Sequence, residues 1–358
     1  MSALAIVWYF LVFLLIAGYF VLDGFDLGAG VLMPFVAKTE DDRLALQRSI
    51  GPVWDGNEVW LLAGGGALFA AFAPAYATTF SGFYLAIMLV LFGLIVRAVA
   101  VEFASRDEAW RKLWNRLFVV GSFVPALLFG VAVGNVIAGI PMNANGDYVG
   151  VPLFGLISPY TLLTGLLGLA LICTQGAAWL SLKVEVGAEM RSRALRFRRL
   201  NIILSIVLLA LVTVYTLALI QPASVPGMKA LSAVLAVIVF IALVFALVHG
   251  NGSATPGGEK RDLPVFLATS AACLLLVFVW ACGVFPTLVP ATAGDPLAFF
   301  PTPASGADIT IATAASSDLA LTAMLVIACI GVPLVLIYHA IVYRAFRGRI
   351  AVDDGEEY

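Results

Sequence analysis

Two pairs of acids stand three residues apart: Asp23 and Asp26 in "LDGFDLG", and Asp55 and Glu58 in "WDGNEVW". That spacing puts both members of a pair on one helix face, where carboxyl groups can pass protons or hold a cation. Arg97 and Glu102 close another apolar run, giving five acids and one base that cannot all be neutralised among themselves. Their surroundings make them conspicuous, because 62% of the 358 residues are hydrophobic and only 12% are charged. A charge in hydrocarbon costs at least about 2.5 kcal/mol. The surplus acids must therefore be protonated, hydrated or paired to another chain, and each state points to proton traffic or a partner.

The elements that must position them are membrane helices. Mean hydropathy is +1.04, far from the balance of a soluble domain, and a bilayer core asks for about 20 apolar residues per span. Nine stretches meet this: 4–22, 51–73, 80–101, 117–139, 160–182, 200–220, 229–248, 264–285 and 318–342. The second is short unless it takes in "VWDGNEVW", which places those acids at membrane depth. The expectation is an all-α integral membrane protein of one domain, 1–358, with two four-helix bundles and one peripheral helix. "LAIVWYFLVFLLIAGYFVL" lacks a charged n-region and a cleavage site, so it reads as a first span and not as a signal peptide.

Orientation follows from the basic residues. Eighteen of the 20 Lys and Arg fall after the first, third, fifth and seventh spans or in the tail, and the alternate loops hold none. The positive-inside rule then puts the N-terminus in the periplasm and the C-terminus in the cytoplasm. At 1.5 Å per residue, Asp23 and Asp26 lie roughly 28 to 33 Å down the first span, while Asp55 and Glu58 enter about 8 to 12 Å from the opposite side. Arg97 and Glu102 come down to a similar level, so all six share one layer toward the cytoplasm.

Other residues read more plainly. Cys173, Cys273, Cys282 and Cys329 lie in spans without C-x-x-C spacing and behave as small apolar residues. Gly24, Gly28 and Gly64 to Gly66 favour close helix approach, and Trp8, Trp54, Trp60, Trp110 and Trp179 suit membrane interfaces. Asp55 or Asn57 is also placed to cap the second span. The basic stretch "KVEVGAEMRSRALRFRRL" answers to topology and lipid headgroups and not to nucleic acid. The uncharged stretch 286–317 is expected to lie flat on the outer face, and no metal site is expected.

The strings "GYFVLDGFDLGAGVLMPF", "IGPVWDGNEVWLLAGGGALFAAFAPAYATTFSGFY", "GSFVPALLFGVAVGNVIAGIPMN" and "GVPLVLIYHAIVYRAFRGRI" resemble subunit II of cytochrome bd-type quinol oxidases, from the first span to the last. The resemblance implies a bacterial inner-membrane terminal oxidase that takes electrons from ubiquinol or menaquinol and reduces oxygen to water. It implies a heterodimer with subunit I, which would carry haem b and haem d and oxidise the quinol. It also leaves room for a small accessory subunit and for a structural quinone within this chain. The residues themselves agree on the haems: His249 and His339 are the only histidines, few for a three-haem protein.

On that reading the chain supports subunit I and contributes a cytoplasmic proton path. Asp26 and Asp55 are the first relay candidates, Asp23 and Glu58 the second, and Arg97, with Glu102, is the supporting charge. Two other classes fit the same acids. A secondary proton or cation transporter would need discontinuous helices, to which "GAGVLMP" is suited; a purely scaffolding subunit would keep its acids for assembly.

Overall fold

The computed structural model describes residues 2–104, 106–255 and 257–352. Its helices are α1 (Ala3–Val36), α2 (Glu40–Ile50), α3 (Trp54–Ala71), α4 (Ala73–Gly82), α5 (Tyr84–Ala104), α6 (Arg111–Ala138), α7 (Pro159–Lys183), α8 (Glu189–Tyr215), α9 (Pro226–Gly250), α10 (Asp262–Val284), α11 (Ile311–Ala314) and α12 (Asp318–Ala345). Eight of them are long and apolar enough to cross a membrane. The remaining expected span is α3, whose 18 residues include Asp55 and Glu58. It stops at Phe72 because Pro74 supplies no amide to continue the ladder, and α4 starts afresh there.

α1 runs on past the expected end of its span, through Asp23, Asp26 and the glycines, to Val36. The helix is unbroken across "GAGVLMP", contrary to the discontinuity a transporter reading would use, since its proline, Pro34, falls in the last turn. α1 is also the hub, packing on α3, α6, α7 and α10. Gly28 permits the closest backbone approach among these: a Cβ there would lie 2.0 Å from the Ile172 carbonyl oxygen of α7. Gly24, Gly65 and Gly66 do not serve this purpose, since a Cβ at each would meet nothing within 4 Å.

Helices α7, α8, α9 and α10 form a closed ring, each packed on the next and α10 back on α7. The other group is open. α3 packs on α1 and α5 packs on α6, but α3 and α5 share little surface, and α12 rests lightly on α1 and α3.

All the basic segments meet at one face. Arg193 pairs with Asp42 at 2.6 Å and donates to the Val36 carbonyl. Gln47 donates to Asn115, and the Ile350 amide donates to the Lys183 carbonyl. The segments without basic residues meet at the opposite face, where Ser316 N–H donates to Ala71, Ser305 N–H donates to Met142, and Tyr215 and the Tyr160 amide both donate to Asp295. The stretch 286–317 is more ordered than expected there, with β1 (Thr287–Val289) pairing antiparallel to β2 (Ile309–Thr310).

Two smaller expectations change. Trp8 and Trp179 are interior residues whose indoles donate to the Leu321 and Ser49 carbonyls, because an apolar ring with one donor also suits a helix junction. Cys329 is exposed, unlike the other three cysteines, because α12 turns it outward.

Candidate functional site

The site is built where α1, α3 and α5 come together beneath α12. Asp23 and Arg97 are both essentially inaccessible, and Asp23 Oδ1 lies 2.7 Å from Arg97 Nη1. The second guanidinium nitrogen donates to Glu58 Oε1 at 2.8 Å, so one cation bridges carboxylates from two other helices. This ion triad joins α3 to α5 across a boundary where the helices otherwise pack little. A guanidinium suits the position because its planar fork of donors can serve two partners and stays charged when buried.

Asp26 enters a different set of contacts. Its Oδ2 accepts from Asn57 Nδ2 at 2.7 Å, and Asn57 Oδ1 accepts from the Tyr343 hydroxyl at 2.9 Å. Asp26 Oδ1 and the Tyr19 hydroxyl are buried without a hydrogen-bond partner. Among the described residues no ion pair reaches Asp26. The two acids of α1 share a face, as their spacing requires, yet one meets a cation and the other an amide.

Asp55 and Glu102 stand outside this cluster. Asp55 is exposed on α3 and its Oδ1 accepts from the adjacent Gly56 amide at 2.7 Å. Glu102 is exposed near the end of α5 and pairs with Arg106 at 3.4 Å. The expected layer of six therefore resolves into a buried core of Asp23, Asp26 and Arg97 with a half-buried Glu58, and two exposed acids at its margin. Helix rotation is the cause: Asp55 and Glu102 sit on faces of α3 and α5 that turn away from α1.

Asn57 does not cap α3, and neither does Asp55. The N-cap is Val53, which offers no side-chain hydrogen bond. Asn57 is fully buried and is the link between Asp26 and α12. Tyr343 and Tyr19 were not singled out from sequence. Tyr19 stands one turn before Asp23, which was a usable signal; Tyr343 lies 286 residues from Asn57, and nothing local announces that contact.

The two histidines make local contacts, and His339 Nε2 is buried without a hydrogen-bond partner among the described residues. His339 directs Nδ1 to the Val335 carbonyl at 2.8 Å. Its ring is hemmed in by Trp60, Tyr338 and Tyr343, with centroids 5.4 to 6.0 Å away. His249 stacks on Phe245 at 5.0 Å. No group of three metal-ligating side chains occurs among the described residues.

The sequence profile of the cytochrome bd terminal oxidase subunit II family matches residues 4–346. The chain belongs to that family. It is thus a subunit of a terminal oxidase and a multi-pass protein of the bacterial inner membrane. Cytochrome bd-I ubiquinol oxidase subunit 2 of Escherichia coli K12 is 34% identical over 99% of this chain and 97% of its own length. Cytochrome bd ubiquinol oxidase subunit 2 of Bacillus subtilis 168 is 30% identical over 98% of each chain. The fold is shared with a chain of the bd oxidase from Geobacillus thermodenitrificans, with a TM-score of 0.77 at 16% identity, covering 96% of this chain and 99% of that one. As a subunit 2 of a bd oxidase, the chain implies a partner subunit I.

Proposed function

We propose that this chain supports the haem-bearing subunit I of a quinol oxidase and leads protons from the cytoplasm toward it. The names of the relatives from Escherichia coli and Bacillus subtilis supply the substrate class, ubiquinol. Membership of the family, together with only two histidines in the sequence, supports haem b and haem d being held by subunit I. The meeting of all basic segments at one face supports nine passages, α3 included, with that face cytoplasmic and the N-terminus outside.

One observation carries the proton reading. Arg97 pairs with both Asp23 and Glu58, one cation for two carboxylates, whereas among the described residues no ion pair reaches Asp26 or Asp55. The two carboxyls left without a cation are the ones suited to take and release protons. In this scheme Asp26 works at Oδ1, the oxygen that Asn57 leaves free. Asp55, exposed on α3, hands protons across the seam to subunit I. Arg97 is the fixed charge that holds the triad and keeps the passage from collapsing. Reduction of oxygen consumes protons, and the cluster lies nearer the basic face, where they would be drawn.

Asp55→Asn in the assembled complex is the test. Quinol-driven oxygen uptake should slow while the reduced-minus-oxidised haem spectrum stays intact. Loss of the haem signals would instead assign Asp55 to assembly, and an unchanged rate would end the relay reading.

A further inference from the structure

His339, in the C-terminal half of α12, is only 8% exposed. Its Nδ1 meets the Val335 carbonyl at 2.8 Å. A carbonyl oxygen only accepts, so Nδ1 carries the hydrogen and the lone pair of the neutral ring resides on Nε2. That Nε2 is buried and has no hydrogen-bond partner among the described residues. A histidine that merely ties its own helix uses one nitrogen, and here the basic one is left over.

Three aromatic rings enclose the imidazole. Tyr343 lies nearly parallel to it, at 19° and 6.0 Å between centroids, while Trp60 and Tyr338 stand nearly perpendicular at 6.0 and 5.4 Å. Glycines on two neighbouring helices make room for them. A Cβ on Gly18 of α1 would collide with the Trp60 indole, and one on Gly56 of α3 would lie 2.8 Å from the Tyr338 ring. Aromatic rings within about 6 Å attract a cation through their quadrupole, so this enclosure tolerates an imidazolium better than aliphatic packing would. Trp60 Nε1 is likewise buried with no partner among the described residues. One donor and one acceptor in the same cluster are thus available to solvent that enters it.

Tyr343 also connects the enclosure to the acids, since its hydroxyl donates to Asn57 and Asn57 donates to Asp26. The titratable groups toward this end of the helices around His339 are Tyr19, Asp23 and Asp26 of α1, Asp55 and Glu58 of α3, and Lys183 of α7, with Tyr338 and Tyr343 on α12 itself. Arg97 of α5 lies behind Asp23 and Glu58.

We propose that His339 is a further proton-binding position of the path, loaded at Nε2; this rests on the relay through Asp26 and Asp55 proposed above. Loading forms one N–H bond at Nε2 as a hydrated proton gives up one O–H bond, and the Nδ1 hydrogen stays directed at Val335. Unloading is the reverse and returns the neutral ring.

The experiment uses the whole oxidase complex with nitrogen-labelled histidine, comparing wild type, His339→Asn and His249→Asn by solid-state NMR across about pH 5 to 8. Asparagine can keep the donor to Val335 but has no nitrogen that takes up a proton. The signals missing from His339→Asn should pass from an imidazolium at the acid end to a neutral ring protonated at Nδ1 at the alkaline end. Oxygen uptake by wild type should follow the same ionisation. In His339→Asn that ionisation should be absent from the pH profile and uptake several-fold slower, with the haem spectrum intact, whereas His249→Asn should behave as wild type. Signals of His339 that keep one protonation state throughout overturn the proposal, and so does a pH profile that His339→Asn leaves unchanged. If His339→Asn does not assemble, His339→Gln, which sets an amide where Nε2 lies, carries the same two readings. A titrating His339 whose loss removes the ionisation, alongside a wild-type rate in Asp55→Asn, would end the relay through Asp55 and leave the His339 position standing.

Discussion

Between α7, α8 and α10 the polar side chains at membrane depth are amides and hydroxyls. Gln175 donates to Ser270 at 2.9 Å and accepts from Thr269, and Thr174 lies 3.4 Å from Ser205. In the group formed by α1, α3, α5 and α6 the corresponding residues are ions, Asp23, Glu58 and Arg97. The neutral set is enclosed by a ring that closes on itself, and its members satisfy one another. The charged set lies where the packing is open and large apolar side chains such as Leu62, Phe69, Phe92 and Ile95 face outward. The neutral set is closed within its own ring, whereas the ions bridge a helix boundary that the chain itself leaves open.

The comparison can be broken most forcefully at Arg97. Arg97→Gln leaves two carboxylates without their cation and should destabilise the chain by about 3–5 kcal/mol, read as a fall in complex yield and in its thermal midpoint. If yield is unchanged, the open half does not depend on its ions. Gln175→Leu in the closed ring should cost less, about 1–3 kcal/mol, because it removes the partner of the Ser270 hydroxyl and leaves Thr269 only the Phe266 carbonyl. Oxygen uptake per assembled complex should stay at the wild-type level, and a slowed rate would mean that the two halves are not functionally separate. Tyr343→Phe should have the smallest effect on stability, about 1 kcal/mol for one lost hydrogen bond. Its oxygen uptake should fall by a factor of about five or less if the Asn57 contact orients Asp26, and an identical rate would remove α12 from the path.

Much of this was legible in the residues. The long apolar runs and the alternation of basic loops contain the helices and their two faces, because hydropathy and loop charge are local properties. That Asp23, Asp26, Glu58 and Arg97 come to one level followed from rise per residue alone. Their partners did not, since pairing depends on how each helix is rotated about its axis. Spacing places Asp23 and Asp26 together but does not say that Arg97 takes the first and Asn57 the second. The same blindness hid the outward turn of Asp55 and Glu102 and the open surroundings of Gly65 and Gly66. Tyr343 was beyond reach because its contact with Asn57 is purely tertiary.

α12 is tied near one end by Trp8 and the Ala70 and Ala71 carbonyls, and beyond the other by Lys183 and Arg349. Its middle touches little, and Pro333 interrupts the backbone ladder there. Such a rod bows more readily than it slides or detaches. A bend at Pro333 would therefore reach Tyr343, and through it Asn57, before it loosened either anchored end.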